Sequence, residues 1–305
     1  MTEIIVLDRV SKIKIKEDVY GESFLKTFYG EGKGSHFLYR VFLPLLVCYP
    51  LFSKIYGFIQ KSSLSKYKVK PFIKKFKVNT EEFLLPVESY VSFNDFFIRK
   101  LKPEARPIAD KEREATLPAD GRYLVFPNIE EADGFLVKGK KFSLEELLGS
   151  KDLANTYQKG LMVIARLCPM DYHRFHFPCH CTPSEALSME GPLYSVNPLA
   201  LRKRVEILAQ NKREITILHT KYFGKVIFIE VGATCVGSIH QTYTPGALHK
   251  KGDEKGYFSF GGSSLVLLFE PGTMVLDQDL VEASKEKMEV LGLMGQTLGH
   301  SLYLD

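Results

Sequence analysis

The chain is sparing with cysteine. Its five cysteines, Cys48, Cys168, Cys179, Cys181 and Cys235, are odd in number and sparse over 305 residues. That argues against a disulfide scaffold and fits a reducing compartment. Long apolar runs are missing too. The most apolar stretch, VFLPLLVCYPLF at 41–52, reaches Lys54 after only 13 uncharged residues (41–53) and is interrupted by Pro44 and Pro50. A membrane-spanning helix needs about 20 apolar residues, so a buried helix or an interfacial segment is expected there. The opening MTEIIVLDRVSKIKIKEDVYGE mixes acids with bases and lacks a long apolar core, unlike a targeting segment. There is no GxSxG elbow of the serine hydrolases, no internal repeat and no low-complexity linker. A net charge of +5 is mild for a nucleic-acid binder, and no RNA- or DNA-binding signature accompanies it, so nucleic acid is not an expected partner.

What is present is an ordinary folded composition, 45% apolar and 25% charged, with length for one large or two modest domains. Residues 61–78, KSSLSKYKVKPFIKKFKV, carry seven lysines and no acid, with Tyr67, Phe72, Ile73 and Phe76 between them. Such a stretch suits an anionic membrane surface, and it equally suits a solvated basic face. Helical patterning dominates up to about residue 110. Beyond it, short β-rich runs alternate with turn signals: 121–129, 161–167, 214–220, 225–239 and 264–272 read as strands. FSLEELLG at 142–149 reads as a short helix, with Ser143 and Glu146 spaced as a capping box and Gly149 at its end. A second helix is expected at 199–211. The expected fold is α+β: a helical, membrane-associating N-terminal region over 1–110 and a β-rich catalytic body over 111–305.

Three segments carry chemistry. FGGSSLVLLFEPG at 260–272 reads either as a tight turn feeding a buried strand or as a serine nucleophile beside a glycine. CPMDYHRFHFPCHCTP at 168–183 holds His173, His176, His180 and three cysteines. Zinc is poorly supported: Cys179 and Cys181 are one residue apart, and no second cluster completes a tetrahedral set. His173 and His176 share a face if the backbone makes a helical turn, which Pro169 and Asp171 favour, and fall on opposite faces in a strand. Either imidazole suits the role of base for a hydroxyl nucleophile. Such a base needs an orienting carboxylate, and Asp120 in LPADGRY is a candidate that spacing alone does not prove.

PADG (118–121), DYHRFHFP (171–178), SVNP (195–198), VGATCVGSI (231–239) and GGSS before LVLLFEPG (261–272) resemble, in this order, the phosphatidylserine decarboxylase family. SFNDFFIRKLKPEARPI (92–108) and VKGKKFSLEELLG (137–149) look like family segments as well, so the likeness covers roughly residues 85 to 280. The resemblance implies a pyruvoyl enzyme made by self-cleavage between Gly262 and Ser263, into a large chain (1–262) and a small chain (263–305). Ser263 would become the covalent pyruvoyl cofactor, which forms a Schiff base with the substrate amine. Asp120, His176 and Ser263 would form the charge relay, with His173 near the decarboxylation step. GGSS replaces the LGST of some relatives and keeps the Gly-Ser pair. Also implied are phosphatidylserine as substrate, docking of the apolar and lysine-rich segments on an anionic membrane, a peripheral place on the cytoplasmic face of the cell membrane, and a homodimer. No metal is expected. Two alternatives stay open on the residues: a serine hydrolase using the same three side chains without chain cleavage, and a non-catalytic membrane-binding protein.

Overall fold

The computed structural model describes residues 4–17, 57–132, 143–197, 201, 206–233, 238–261 and 263–303. The apolar segment 41–52, Cys48, Cys235 and Gly262 lie outside them.

The strands, in chain order, begin with β1 (Ile5–Asp8), β2 (Lys14–Lys16), β3 (Glu114–Thr116), β4 (Gly121–Phe126) and β5 (Leu161–Leu167). Next come β6 (Arg174–His176), β7 (Cys181–Pro183), β8 (Leu187–Met189), β9 (Arg213–Thr220) and β10 (Lys225–Gly232). The last are β11 (Ile239–Gln241), β12 (Glu254–Phe258), β13 (Ser263–Phe269), β14 (Met274–Leu276), β15 (Glu289–Gly292) and β16 (Thr297–Ser301). A ten-stranded sheet runs β2-β1-β15-β4-β5-β13-β10-β9-β7, with β8 also paired to β9. Two three-stranded sheets, β11-β12-β6 and β14-β16-β3, complete the body.

The apolar run after GGSS becomes β13, antiparallel to β5 on one side and to β10 on the other. Every residue of β13 is buried, as a strand covered on both faces requires; such strands read as unbroken apolar runs rather than alternations. Leu265, Leu267 and Phe269 enter one core with Phe175, Phe258 and Leu280. Val266 and Leu268 enter the opposite core with Leu147, Leu148 and Tyr157. The small sheets and the helix Gln278–Lys285 therefore cover one face of the large sheet, and the helices Leu144–Leu148, Lys151–Tyr157 and Ile207–Gln210 cover the other.

The expected short helix forms as Leu144–Leu148: Ser143 Oγ accepts from Glu146 N at 3.1 Å, and Gly149 ends it in the left-handed region at φ 63°. Of the expected helix 199–211, Ile207–Gln210 is helical, and 198–200 and 202–205 lie outside the described residues. The N-terminal part differs from the helical reading. β1 and β2 form a hairpin, and β1 pairs in parallel with β15. Val6 is buried there, and the short alternating run satisfies its backbone groups on the sheet edge instead of along a helix. Further on, helix α1 (Val69–Phe76) and helix α2 (Phe93–Phe97) share an aromatic core with Phe83, Tyr90 and Phe260.

One buried ion pair ties β12 to the large sheet. The register of β12 against β6 shifts between Glu254 and Gly256, leaving Lys255 at the irregularity; bulges of this kind re-aim side chains near active sites. Lys255 Nζ meets Glu230 Oε1 of β10 at 2.5 Å and Gln241 Oε1 at 2.8 Å, and both charged side chains are fully buried. Burial lowers the lysine pKa and raises the glutamate pKa, and each charge opposes the shift of the other. Removing one partner leaves an uncompensated charge, a loss of about 3–5 kcal/mol, whereas replacing both with apolar groups is often neutral. Lys255→Met is therefore expected to lower the urea midpoint sharply, and Lys255→Met/Glu230→Leu to recover most of it. A double variant as unstable as the single one contradicts this account.

Candidate active site

Ser263 opens β13, in register with Leu167 of β5 and Gly232 of β10. Strand alternation separates the two serines. Ser263 has the parity of Leu265 and Leu267, the face on which Phe175 packs. Ser264 has the parity of Val266 and lies across from Arg166, on the helix-covered face. Ser263 is fully buried, and its Oγ has no hydrogen-bond partner among the described residues. A buried hydroxyl without a partner costs roughly 1–3 kcal/mol, a cost a reacting group accepts. The preceding turn is held from the helical side. Phe260 packs on Phe93 and Phe97, with ring centroids at 5.0 and 4.9 Å, and its N–H donates to Asn94 Oδ1 at 3.0 Å. Gly261 follows at φ 141°, a backbone state that a side chain would strain.

The two histidines do not share a helical turn. His173 precedes β6 and His176 ends it. His173 is fully buried, with its ring centroid 3.9 Å from that of Phe97. Its Nδ1 lies 3.0 Å from the Asp171 carbonyl, which can only accept, so Nδ1 carries the proton and Nε2 the lone pair. Nε2 has no hydrogen-bond partner among the described residues. Burial pushes the pKa of His173 down to about 3; the Asp171 backbone opposes this, the Arg99 and Arg122 charges add to it, and the Gly261 backbone opposes it. His173 is thus a neutral base beside the Gly-Gly-Ser turn.

His176 is more fully engaged. Its Nδ1 donates to the Gly252 carbonyl at 2.9 Å, and its Nε2 accepts from the Tyr172 hydroxyl at 3.2 Å. Burial lowers its pKa, opposed by the Gly252 carbonyl, Glu254 and Asp120. His176 N bonds to Pro118 O at 2.8 Å, which lays the PADG segment against the histidine strand. Asp120 itself accepts from Arg106 Nε at 2.9 Å, Arg106 Nη2 at 2.6 Å and Met294 N at 2.9 Å. Asp120 thus acts on His176 through its charge; among the described residues no hydrogen bond joins Asp120 to His176, or His176 to Ser263.

Sequence reasoning missed Arg106, Tyr172, Phe97 and Arg122. Arg106 sits in KPEARPI, a segment quoted above for its family likeness, so a signal was there. Phe97 lies in the same 92–108 segment, Tyr172 in 171–178 and Arg122 in LPADGRY, but nothing in their residue types marks them out, since aromatics and arginines are mostly core and surface. Cys168, Cys179 and Cys181 are buried free thiols. Burial raises the pKa of Cys168 and Cys181 to about 12, so neither is a ready thiolate.

A glycine-led serine at a strand start, with the neutral His173 at the preceding turn, fits self-activation of a hydroxyl. A family model described as phosphatidylserine decarboxylase matches residues 93–300. The chain belongs to the phosphatidylserine decarboxylase family. It is 46% identical over 295 residues to the phosphatidylserine decarboxylase proenzyme of Chlamydia pneumoniae, covering 97% of this chain and 96% of the relative. The proenzyme of the same name from Chlamydia muridarum is 50% identical over 249 residues, 82% of this chain and 83% of the relative. As a member of this carboxy-lyase family the chain is an enzyme, and all three segments that carry its chemistry fall inside the matched region.

The neutral His173 makes a prediction about acid. Between pH 6.5 and about 3 the unfolded chain holds a proton on this ring that the folded chain does not. Stability then falls as pH is lowered through that window, by up to about 1.4 kcal/mol per pH unit for this group. Replacing His173 by Phe in the Ser263→Ala chain is expected to flatten the urea-midpoint profile over that window relative to Ser263→Ala alone. Parallel profiles would mean that His173 is protonated in the fold.

Proposed function

We propose that the chain is a self-processing phosphatidylserine decarboxylase, converting phosphatidylserine to phosphatidylethanolamine and CO2. The observation that carries this reading is the buried, unpartnered Ser263 Oγ at the head of a central strand, directly after the glycine turn whose Gly261 backbone acts on the buried His173. A hydrolase elbow presents its serine between a strand and a helix; Ser263 instead begins a strand, which disfavours the hydrolase alternative.

In maturation, His176 takes the Ser263 hydroxyl proton and Oγ attacks the Gly262 carbonyl carbon. His176 passes that proton to the Ser263 nitrogen as the Gly262–Ser263 amide bond breaks, which leaves an ester and a free amine. Loss of the Ser263 α-proton then expels the Gly262 carboxylate as the new end of 1–262. Water replaces the nitrogen of the dehydrated residue, ammonia leaves, and the small chain 263–305 begins with a pyruvoyl group. The lone pair on His176 Nε2, held there by the Nδ1–Gly252 hydrogen bond, supports this role. The Asp120 charge favours the imidazolium that forms.

The fit of a pyruvoyl group rests on the same orphaned atoms, Ser263 Oγ and His173 Nε2. When formed, its carbonyl condenses with the substrate amine and draws electrons from the bond to the departing carboxylate. His173 Nε2 takes the proton that the substrate ammonium must lose. The same atom returns it to the carbon that CO2 leaves. The Asp171 carbonyl keeps Nδ1 protonated throughout, and Phe97 and Phe260 exclude water from the ring's surroundings.

Docking on an anionic bilayer is part of this proposal, since the substrate has two acyl chains. Among the described residues no helix is long and apolar enough to cross a membrane. Helix α1 buries Val69 and Phe72 and leaves Lys70, Lys74 and Lys75 exposed. Phe58, Leu64 and Tyr67 stand 77, 80 and 74% exposed nearby in the chain. Apolar side chains among lysines support a peripheral, cytoplasmic-face enzyme. A homodimer rests on family likeness alone.

Wild-type protein is expected to run as two chains, with the small one blocked to Edman sequencing, and Ser263→Ala as one inactive chain. Losing a general base costs roughly 10²- to 10⁴-fold in rate. His176→Ala should therefore stay mostly uncut for hours, while His173→Ala should cut, carry a titratable pyruvoyl group and release little CO2. The reverse pattern would exchange the two roles.

Lys66, Lys68, Lys70, Lys74, Lys75 and Lys77 changed together to Gln are expected to weaken binding to phosphatidylserine-containing vesicles. The loss should be largest at low salt, because such attraction is screened within about 10 Å at 0.1 M. Cleavage should be unaffected. Unchanged vesicle binding would reduce this surface to solvated charge.

A further inference from the structure

Glu17 lies far in sequence from the catalytic segments and outside the residues that the family model matches. It follows β2, and its N–H donates to Ile4 O at 3.0 Å. Its buried carboxylate grips two buried arginines. Arg122 Nε reaches Oε2 at 2.7 Å, and Arg166 reaches Oε1 through Nη1 and Oε2 through Nη2, each at 3.0 Å. Burial raises the pKa of Glu17, but the Arg166 and Arg122 charges outweigh it and bring it down to about 2.

Each arginine passes the constraint on. Arg166 holds Glu289 of β15 at 2.6 Å and lies across from Ser264, next to the reactive serine. Arg122 donates through Nη1 to Asp171 Oδ2, which also accepts from Cys168 N at 2.6 Å. The Asp171 carbonyl, on the same residue, accepts from His173 Nδ1 at 3.0 Å and from Arg99 Nη2 at 3.1 Å. Charged contacts thus run from the N-terminal hairpin to the Asp171 carboxylate, and the backbone carbonyl of that same residue fixes the tautomer of a fully buried histidine.

We propose that Glu17 is a positioning residue for His173: it holds Arg122 where Arg122 fixes Asp171, and so aims His173 Nε2. The inference rests on the decarboxylase reading, in which His173 serves the second reaction and His176 the first. Without the Glu17 carboxylate, Arg122 Nε and Arg166 Nη1 lose buried acceptors. The two guanidiniums then compete for Asp171 and Glu289. A shift of about 1 Å in a catalytic group can cost on the order of 10²-fold in rate.

The test is full-length Glu17→Gln beside Glu17→Asp. Glu17→Gln is expected to cut, to carry a pyruvoyl group in wild-type amount, and to lose roughly tenfold or more in kcat on phosphatidylserine in mixed micelles, with KM within about twofold. Glu17→Asp, which keeps the charge, should recover part of the loss. A second readout is independent of activity. In uncut Ser263→Ala protein, imidazole ¹⁵N NMR should report His173 as the Nδ1–H tautomer, and Ser263→Ala/Glu17→Gln should show a mixture. Wild-type kcat in Glu17→Gln overturns the proposal, as does an unchanged tautomer. So does failure of both variants to fold, since Glu17 would then serve stability alone. If wild-type protein itself releases no CO2, the decarboxylase reading fails instead, and the NMR comparison still decides the role of Glu17.

Discussion

Everything at this site depends on β13 being buried on both faces and paired on both edges. A strand so confined has one register open to it, because a slip of one residue would exchange its two cores. That constraint puts Ser263 on the face of Leu265, Leu267 and Phe175, and Ser264 on the opposite face. It also bears on cleavage. A cut before Ser263 would leave β13, β14, β15 and β16 on a short chain whose first strand sits mid-sheet between β5 and β10. Two chains would then still make one fold, held by the backbone ladders that formed before the cut.

His176 ends a strand of a separate small sheet and His173 precedes it, and buried side chains set how that sheet meets β13. Lys255 and Glu230 meet in an apolar interior, with Lys255 Nζ 4.9 Å from the centroid of Phe228 and 4.8 Å from that of Tyr243. A buried pair is weak evidence for stability but a demanding condition on geometry, since either charge alone is costly. Because Lys255 lies between the β12 residues paired with His176 and Phe175, satisfying Glu230 also aligns the histidine strand.

Burial keeps His173 and His176 neutral, and the arginines around them hold carboxylates or carbonyls: Arg106 holds Asp120, Arg122 holds Glu17 and Asp171, and Arg99 Nη2 holds the Met170 and Asp171 carbonyls. A neutral imidazole with one nitrogen tied to a carbonyl is a base of defined direction. Hydroxyl activation and amine deprotonation both need that state.

Local signals in the chain were enough for the Ser143–Gly149 helix, for β5, β9, β10 and β13, and for the choice of Asp120, His173 and His176 as residues to examine, whereas Ser263 rather than Ser264 came from the family likeness. Capping, apolar runs and turn residues act within a few positions, so they can be read without the fold. The N-terminal hairpin was not legible, because Ile5–Asp8 becomes a strand only by pairing with β15, more than 280 residues away. The partners of the site were equally hidden. Arg106 behind Asp120, Phe97 on His173 and Glu17 behind Arg122 are joined across 14, 76 and 105 positions. Residue types name the groups able to do the chemistry. Which nitrogen is protonated, and which face each serine takes, follow from packing that brings distant strands together, where burial sets the charge of each group and pairing sets its direction.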